Sequence, residues 1–190
     1  MSALADAPLV EVDDREAWRA WLEANHATSS GAWLVTRRPR SGRPGLDYEA
    51  AVEEALCYGW IDGAAGRVDD ERGKLYFAPR KLRSAWAATN KARVERLIAR
   101  GRMASAGLAA IERAKANGSW GLLDSVDRLE IPDDLAAALG PGAAAANFAA
   151  WPPSVRKAAL TSLVLARRPE TRTERIRKIA EAAARNERPA

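Results

Sequence analysis

Between Asp47 and Asp62 the hydrophobic period of the chain changes from helical to extended, and this switch constrains the fold more than any other stretch. Tyr48, Ala51, Val52, Ala55 and Leu56 recur at i, i+3, i+4, i+7 and i+8, which predicts one apolar helix face. Gly59 supplies the stop. WIDG follows at once, and alternation places Trp60 and Asp62 on one face of a strand with Ile61 on the other. A helix feeding directly into a strand requires a mixed α and β core. On the helical wheel Cys57 lies away from the apolar stripe, between Glu53 and Glu54, so it is not marked as core. Two acidic neighbours disfavour a thiolate, which makes a structural cysteine the better reading than a nucleophile.

The run from Trp60 to Arg80 reads as a hairpin: WIDGAAGRV, the turn-rich DDERG, then KLYFAPR. A turn centred near Glu71 sets Asp62 opposite Arg80, with Pro79 at the end of an edge strand. Upstream, DDREAWRAWLEAN carries Trp18, Trp21 and Leu22 at helical spacing behind acidic caps. AWLVTR, residues 32 to 37, is a short β-rich run. RPRSGRPG is a loop. Downstream, SAWAATNKARVERLIARG predicts a helix from Ser84 to Gly101 on which Trp86, Asn90, Val94 and Leu97 share a face, leaving Arg93, Arg96 and Arg100 to solvent. ASAGLAAIERAKANG gives another helix, stopped by Asn117 and Gly118.

From residue 119 the pattern is helical. SWGLLDSVDRLEIPDD reads as a connector, DDLAAALG and AAAANFAAWP as short helices, and SVRKAALTSLVLARR and TRTERIRKIAEAAAR as longer ones parted at Pro169. Thr171 and Glu174 suggest a capping box for the last. Leu160, Leu163 and Val164 are spaced to meet Ile176, Ile179 and Ala183 in an antiparallel pair. The expected class is therefore α+β. A small antiparallel sheet with packed helices occupies residues 1–118, and a helical region residues 119–190.

Function classes narrow by exclusion. A single cysteine and a single histidine leave no disulfide and no zinc-type ligand set, so no metal and no cofactor are expected. His26, in LEANHATSSG, reads as a capping or surface residue. No apolar run approaches the roughly 18 to 20 residues that span a bilayer, and the start lacks a secretory pattern, so a cytoplasmic protein without a membrane partner is expected. The net charge of +5 is uneven. Residues 151–190 carry 10 basic and 4 acidic side chains, whereas residues 1–150 carry 20 and 21. Residues 80 to 102 hold eight Lys or Arg against Glu95 alone. Basic patches of this size admit nucleic acid as a partner but equally describe a solubilised arginine-rich surface.

In order, EEALCYGWIDG, FAPRKLRSAW, NKARVERLIARGRM, IPDDLAAAL, PSVRKA and RRPETRTERI resemble the YdeI/OmpD-associated family, whose members are also labelled bacteriocin-protection proteins. The resemblance runs from about residue 14 to 185. It implies an α+β N-terminal part, a helical C-terminal part and a loose link to antimicrobial-peptide or stress resistance. It implies no reaction and no cofactor. Ala87 stands where members carry serine after the tryptophan, which removes a candidate nucleophile.

The reading of the residues is a noncatalytic binding or regulatory protein, with a cleft built by Trp60, Asp62, Arg80, Trp86 and Asn90. Aromatic area with a few convergent polar groups is the usual recipe for a small-ligand pocket. Because Arg80 already answers Asp62, the expected ligand is small and polar or anionic rather than a cationic peptide; a protein partner is also possible. Two alternatives stay open: an enzyme using Asp62 as general base, and nucleic-acid binding through the arginine-rich helices.

Overall fold

The computed structural model describes residue 4, residues 6–37 and residues 45–188. The RPRSGRP part of the expected loop lies outside the described residues. The chain divides into two compact units. The first comprises Met1–Ser84 and Thr89–Trp120, the second Ala85–Ala88 and Gly121–Ala190.

The first unit is built on four strands: β1 (Leu9–Glu11), β2 (Ala32–Arg37), β3 (Trp60–Arg67) and β4 (Arg72–Pro79), ordered β1-β2-β4-β3. The sheet is mixed rather than purely antiparallel, because β1 runs parallel to β2. A three-residue strand is too short to leave a period, and β1 was not anticipated. Register gives the faces. Ala32 pairs with Phe77 and Leu34 with Leu75, so these apolar side chains share one face with Asp62, which pairs with Phe77. Trp33 and Tyr76 pair on the other face, their rings 5.2 Å apart.

Helix α1 (Arg15–Asn25) starts where Asp14 accepts from the Ala17 amide, and it buries Trp18 and Leu22. Trp18 packs on Phe77, with ring centroids 5.4 Å apart. His26 forms the C-cap, as its position suggested. Helix α2 (Tyr48–Cys57) is capped by Asp47 and ends at Gly59, whose φ of 74° requires glycine. Unlike a surface helix, it is buried all round from Ala50 to Cys57. Cys57 is therefore core, against the wheel, while Tyr48 on the predicted apolar stripe is 53% exposed.

Helix α3 (Ala88–Ala99) begins four residues later than the Ser84 cap predicted. Ser84 closes a turn on Lys81 instead. Trp86 therefore precedes the helix and shares no helical face with Asn90. Helix α4 (Ser105–Ala116) follows, with Asn117 as C-cap. Gly107 brings α4 hard against the end of α2: a Cβ there would lie 2.2 Å from the Cys57 carbonyl oxygen.

The second unit holds α5 (Asp124–Asp127), α6 (Asp133–Leu139), α7 (Ala143–Ala150), α8 (Pro153–Val164) and α9 (Pro169–Ala184). Its core joins Leu135, Phe148, Leu160, Leu163, Ile176, Ile179 and Ala183, as the expected α8–α9 pairing requires. The proposed capping box is absent. Arg168 is the N-cap of α9, makes no side-chain cap, and Pro169 opens the helix, so Thr171 lies inside it. Among the described residues no helix is long and apolar enough to cross a membrane.

Candidate functional site

Asp62 sits on the β3 strand that leaves Gly59, and Tyr48 from the first turn of α2 donates its hydroxyl to Asp62 Oδ2 at 2.8 Å. The hairpin register differs from expectation. Arg67 pairs with Gly73, which centres the turn on Asp70 and by itself would set Asp62 opposite Ala78; Asp62 faces Phe77 rather than Arg80. A bulge between Asp62 and Ala65 shifts the ladder further. Arg80 instead lies beyond the strand end, its backbone N–H donating to Gly59 O at 3.0 Å. Pro79 ends β4, an inner strand, at the point where its pairing stops, which spares the ladder a missing donor.

The Asp62 carboxylate nevertheless acts on Arg80. Burial pushes the Arg80 guanidinium down to about 10, and the attraction of the Asp62 carboxylate opposes that fall. Asn90, on the first turn of α3, accepts a hydrogen bond from Arg93 at 2.7 Å. Arg93 in turn pairs with Glu49 at 2.6 Å and feels both Tyr48 and Asp62. Asp62, Arg80 and Asn90 thus belong to one electrostatic neighbourhood, in which Tyr48, Glu49 and Arg93 are members the sequence reading missed. Burial, then the hydrogen bond to Asp62, raises the Tyr48 phenol, which keeps it a proton donor.

Trp60 is placed differently. Its indole is buried, meets Trp21 edge-on at 5.9 Å, and donates its N–H to His26 O at 3.3 Å. It anchors the start of the strand that carries Asp62. Trp86 is also buried and belongs to the second unit.

Beside Tyr48 a cavity of about 360 Å³ opens between the sheet and the start of α2, walled by Thr36, Leu46, Tyr48, Ala51, Ala65 and Leu75. Arg37, Asp47 and Lys74 also line it, and apolar walls with a phenol and a few charged groups fit a small molecule carrying a polar group.

A second ionic cluster lies along α2. Glu54 is 0% exposed, yet it accepts from Arg15 Nε at 2.5 Å, Arg19 Nη1 at 2.7 Å and Arg102 Nη2 at 2.7 Å. Glu53 takes Arg15 and Arg96 at 3.0 and 3.3 Å. Burial alone would push the Glu54 carboxyl up; the hydrogen bonds from Arg102, Arg19 and Arg15 prevail and hold it below the usual carboxylate range. Arg93 and Arg96, expected in solvent, are thus tied to α2. Cys57 is raised by burial first and then by Glu54, which leaves a thiol without nucleophilic character at neutral pH. Among the described residues no group of His, Cys, Asp and Glu side chains is arranged to hold a metal ion.

Residues 10–110, more than half of the chain, match the family described as Domain of unknown function (DUF8412). The chain belongs to that family. The DUF8412 match covers α1 to α3, the first half of α4 and the whole sheet except the first residue of β1. Residues 128–186 match the family described as Bacteriocin-protection, YdeI or OmpD-Associated. The YdeI/OmpD-associated family is therefore present, but in the C-terminal part alone, rather than across residues 14–185 as the ordered blocks implied. Comparison with curated proteins and with solved structures finds no match.

Proposed function

We propose that the DUF8412 unit is a noncatalytic binding module for a small polar or anionic ligand, held at Asp62, Arg80 and Asn90 next to the cavity walled by Tyr48. One observation carries this reading: Tyr48 lines the 360 Å³ cavity and donates to Asp62 at 2.8 Å, coupling an open cleft of mixed apolar and charged lining to the Asp62 carboxylate. A cationic peptide is poorly suited, because the Asp62 carboxylate already interacts with the Arg80 guanidinium.

Several of the arginines that suggested nucleic acid are committed to carboxylates within the chain. Arg93 and Arg96 hold Glu49, Arg102 holds Glu54, Arg172 holds Asp134 and Arg177 holds Glu174 and Glu181. Each such pair reduces the cationic field available to phosphates. A part in protection against bacteriocins accompanies this reading through the description of the C-terminal family, and a cytoplasmic location belongs to the same proposal; a noncatalytic ligand-binding protein suits both.

The test is a thermal-shift screen of the parent, Asp62→Asn and Arg80→Ala against small carboxylates, phosphates and amino acids. At least one compound is expected to raise the parent Tm and to lose that effect in both variants. If every stabilising compound acts equally on all three proteins, the site is wrong.

A further inference from the structure

The second unit contains a cavity that the reading above does not use. Its volume is about 240 Å³, and Val126, Ile131, Pro132, Leu160, Leu163 and Val164 supply its walls. Val126, Leu160 and Leu163 are buried core residues, so the floor is fixed by packing. The mouth is bordered by Ile131, which is 38% exposed.

One wall is held in an unfavourable backbone conformation. After α5, Glu130 N–H returns to Ser125 O at 2.9 Å and Leu129 N–H to Val126 O at 2.9 Å, a left-handed helix termination. The left-handed position is filled by Leu129, with φ of 58°, where glycine is the ordinary choice. The strained residue packs against the core, and its neighbours Glu130 and Ile131 border the cavity.

The polar group at the cavity is Arg172. Asp134 receives its Nε at 2.6 Å and Nη2 at 2.9 Å, and Leu163 O receives Nη1 at 3.1 Å. Three of the five N–H groups of this guanidinium are therefore engaged, which leaves two for an acceptor. Asp134 already balances its charge. The other charged wall residue, Glu130, is paired with Arg128 at 2.5 Å. The site thus offers fixed donors without net positive charge.

We propose that this cavity binds a small neutral apolar molecule, of single-ring or short branched size, whose carbonyl accepts from Arg172. An empty apolar space of about 150 Å³ is enough for a benzene ring, so 240 Å³ takes a ring with a short substituent. A carboxylate is disfavoured because Asp134 and Glu130 stand at the same site.

The full chain titrated with acetophenone, ethylbenzene and benzoate, followed by two-dimensional ¹H–¹⁵N NMR, tests this. Acetophenone is expected to shift the amides of Val126, Ile131 and Leu163, with ethylbenzene about three- to tenfold weaker for want of one hydrogen bond. Benzoate is expected to be weaker than either. Ile131→Trp, which fills the mouth from an exposed position, abolishes binding while the remaining spectrum reports an intact fold. Arg172→Lys lowers acetophenone affinity to that of ethylbenzene, and unchanged ethylbenzene binding shows that the cavity survives. Absence of any shift, acetophenone binding unaffected by Ile131→Trp, or benzoate binding as tightly as acetophenone overturns the proposal.

Discussion

The carbonyl oxygen of Cys57 occupies the space that any side chain at Gly107 needs: a Cβ would meet it at 2.2 Å and the carbonyl carbon at 2.7 Å. The glycine is set by this approach, since its own φ is not left-handed. Its neighbour Ala104 donates its N–H to the same oxygen at 3.1 Å, which fixes the end of α2 against the start of α4. Gly107→Ala is therefore expected to destabilise the protein by at least about 2 kcal/mol, through forced separation of the two helices. Urea unfolding of the two proteins measures this, and an unchanged midpoint contradicts the packing.

Glu54 makes a sharper claim because it links stability to pH. Its folded-state carboxyl titrates below the unfolded value near 4.3, so its contribution is fully present above that value. That contribution is lost as pH falls through the folded pKa. Glu54→Gln leaves Arg15, Arg19 and Arg102 without their shared anion and is expected to cost about 3–5 kcal/mol at neutral pH. Tm measured from pH 7 down to pH 3 is expected to show the gap between parent and variant narrowing with acid. A constant gap rules out the ionised Glu54 as its cause.

Cys57 is predicted to be inert in the native state. It is fully buried, and burial raises its thiol. Ellman's reagent at pH 8 is expected to react with it only after denaturation. Prompt stoichiometric reaction of the folded protein would show an accessible thiolate and reopen a chemical role.

The start of α9 leaves room for improvement. Arg168 has the extended backbone of an N-cap but supplies no side-chain acceptor, and Pro169 already sits at the first helical position. Arg168→Ser is expected to raise stability by about 0.5–1 kcal/mol through a new bond to the first-turn amides. Calorimetry checks the sign, and a fall in Tm refutes it.

What the chain disclosed about itself followed the range of the interactions involved. Local signals placed α1, β2 and α4, because a cap, a β-rich run or an Asn-Gly stop acts within a few residues. The same signals misplaced the start of α3, where Ser84 offered a cap that a Lys81 turn used instead. The wheel assigned Glu53, Glu54 and Cys57 to the outside of α2, since charge ordinarily means solvent. Their partners lie far away: Arg15 and Arg19 stand 39 and 35 residues before Glu54 and Arg102 stands 48 after it. Two signals were present, a Glu-Glu pair inside an otherwise apolar run and arginines at i, i+4 on α1. The hairpin was legible but its register was not: Asp62 was expected opposite Arg80 and faces Phe77, three residues earlier, and the bulge after Asp62 has no counterpart in local pattern.

Both described margins of the sheet are poor templates for another chain. On one side stands a strand of three residues; on the other, β3 breaks its ladder after Asp62 and carries Gly63 and Gly66 with no side chain to pack. Edge-to-edge polymerisation needs a long, flat, regular row of free amides and carbonyls, and neither margin offers one, so this fold carries its own protection against amyloid-like growth.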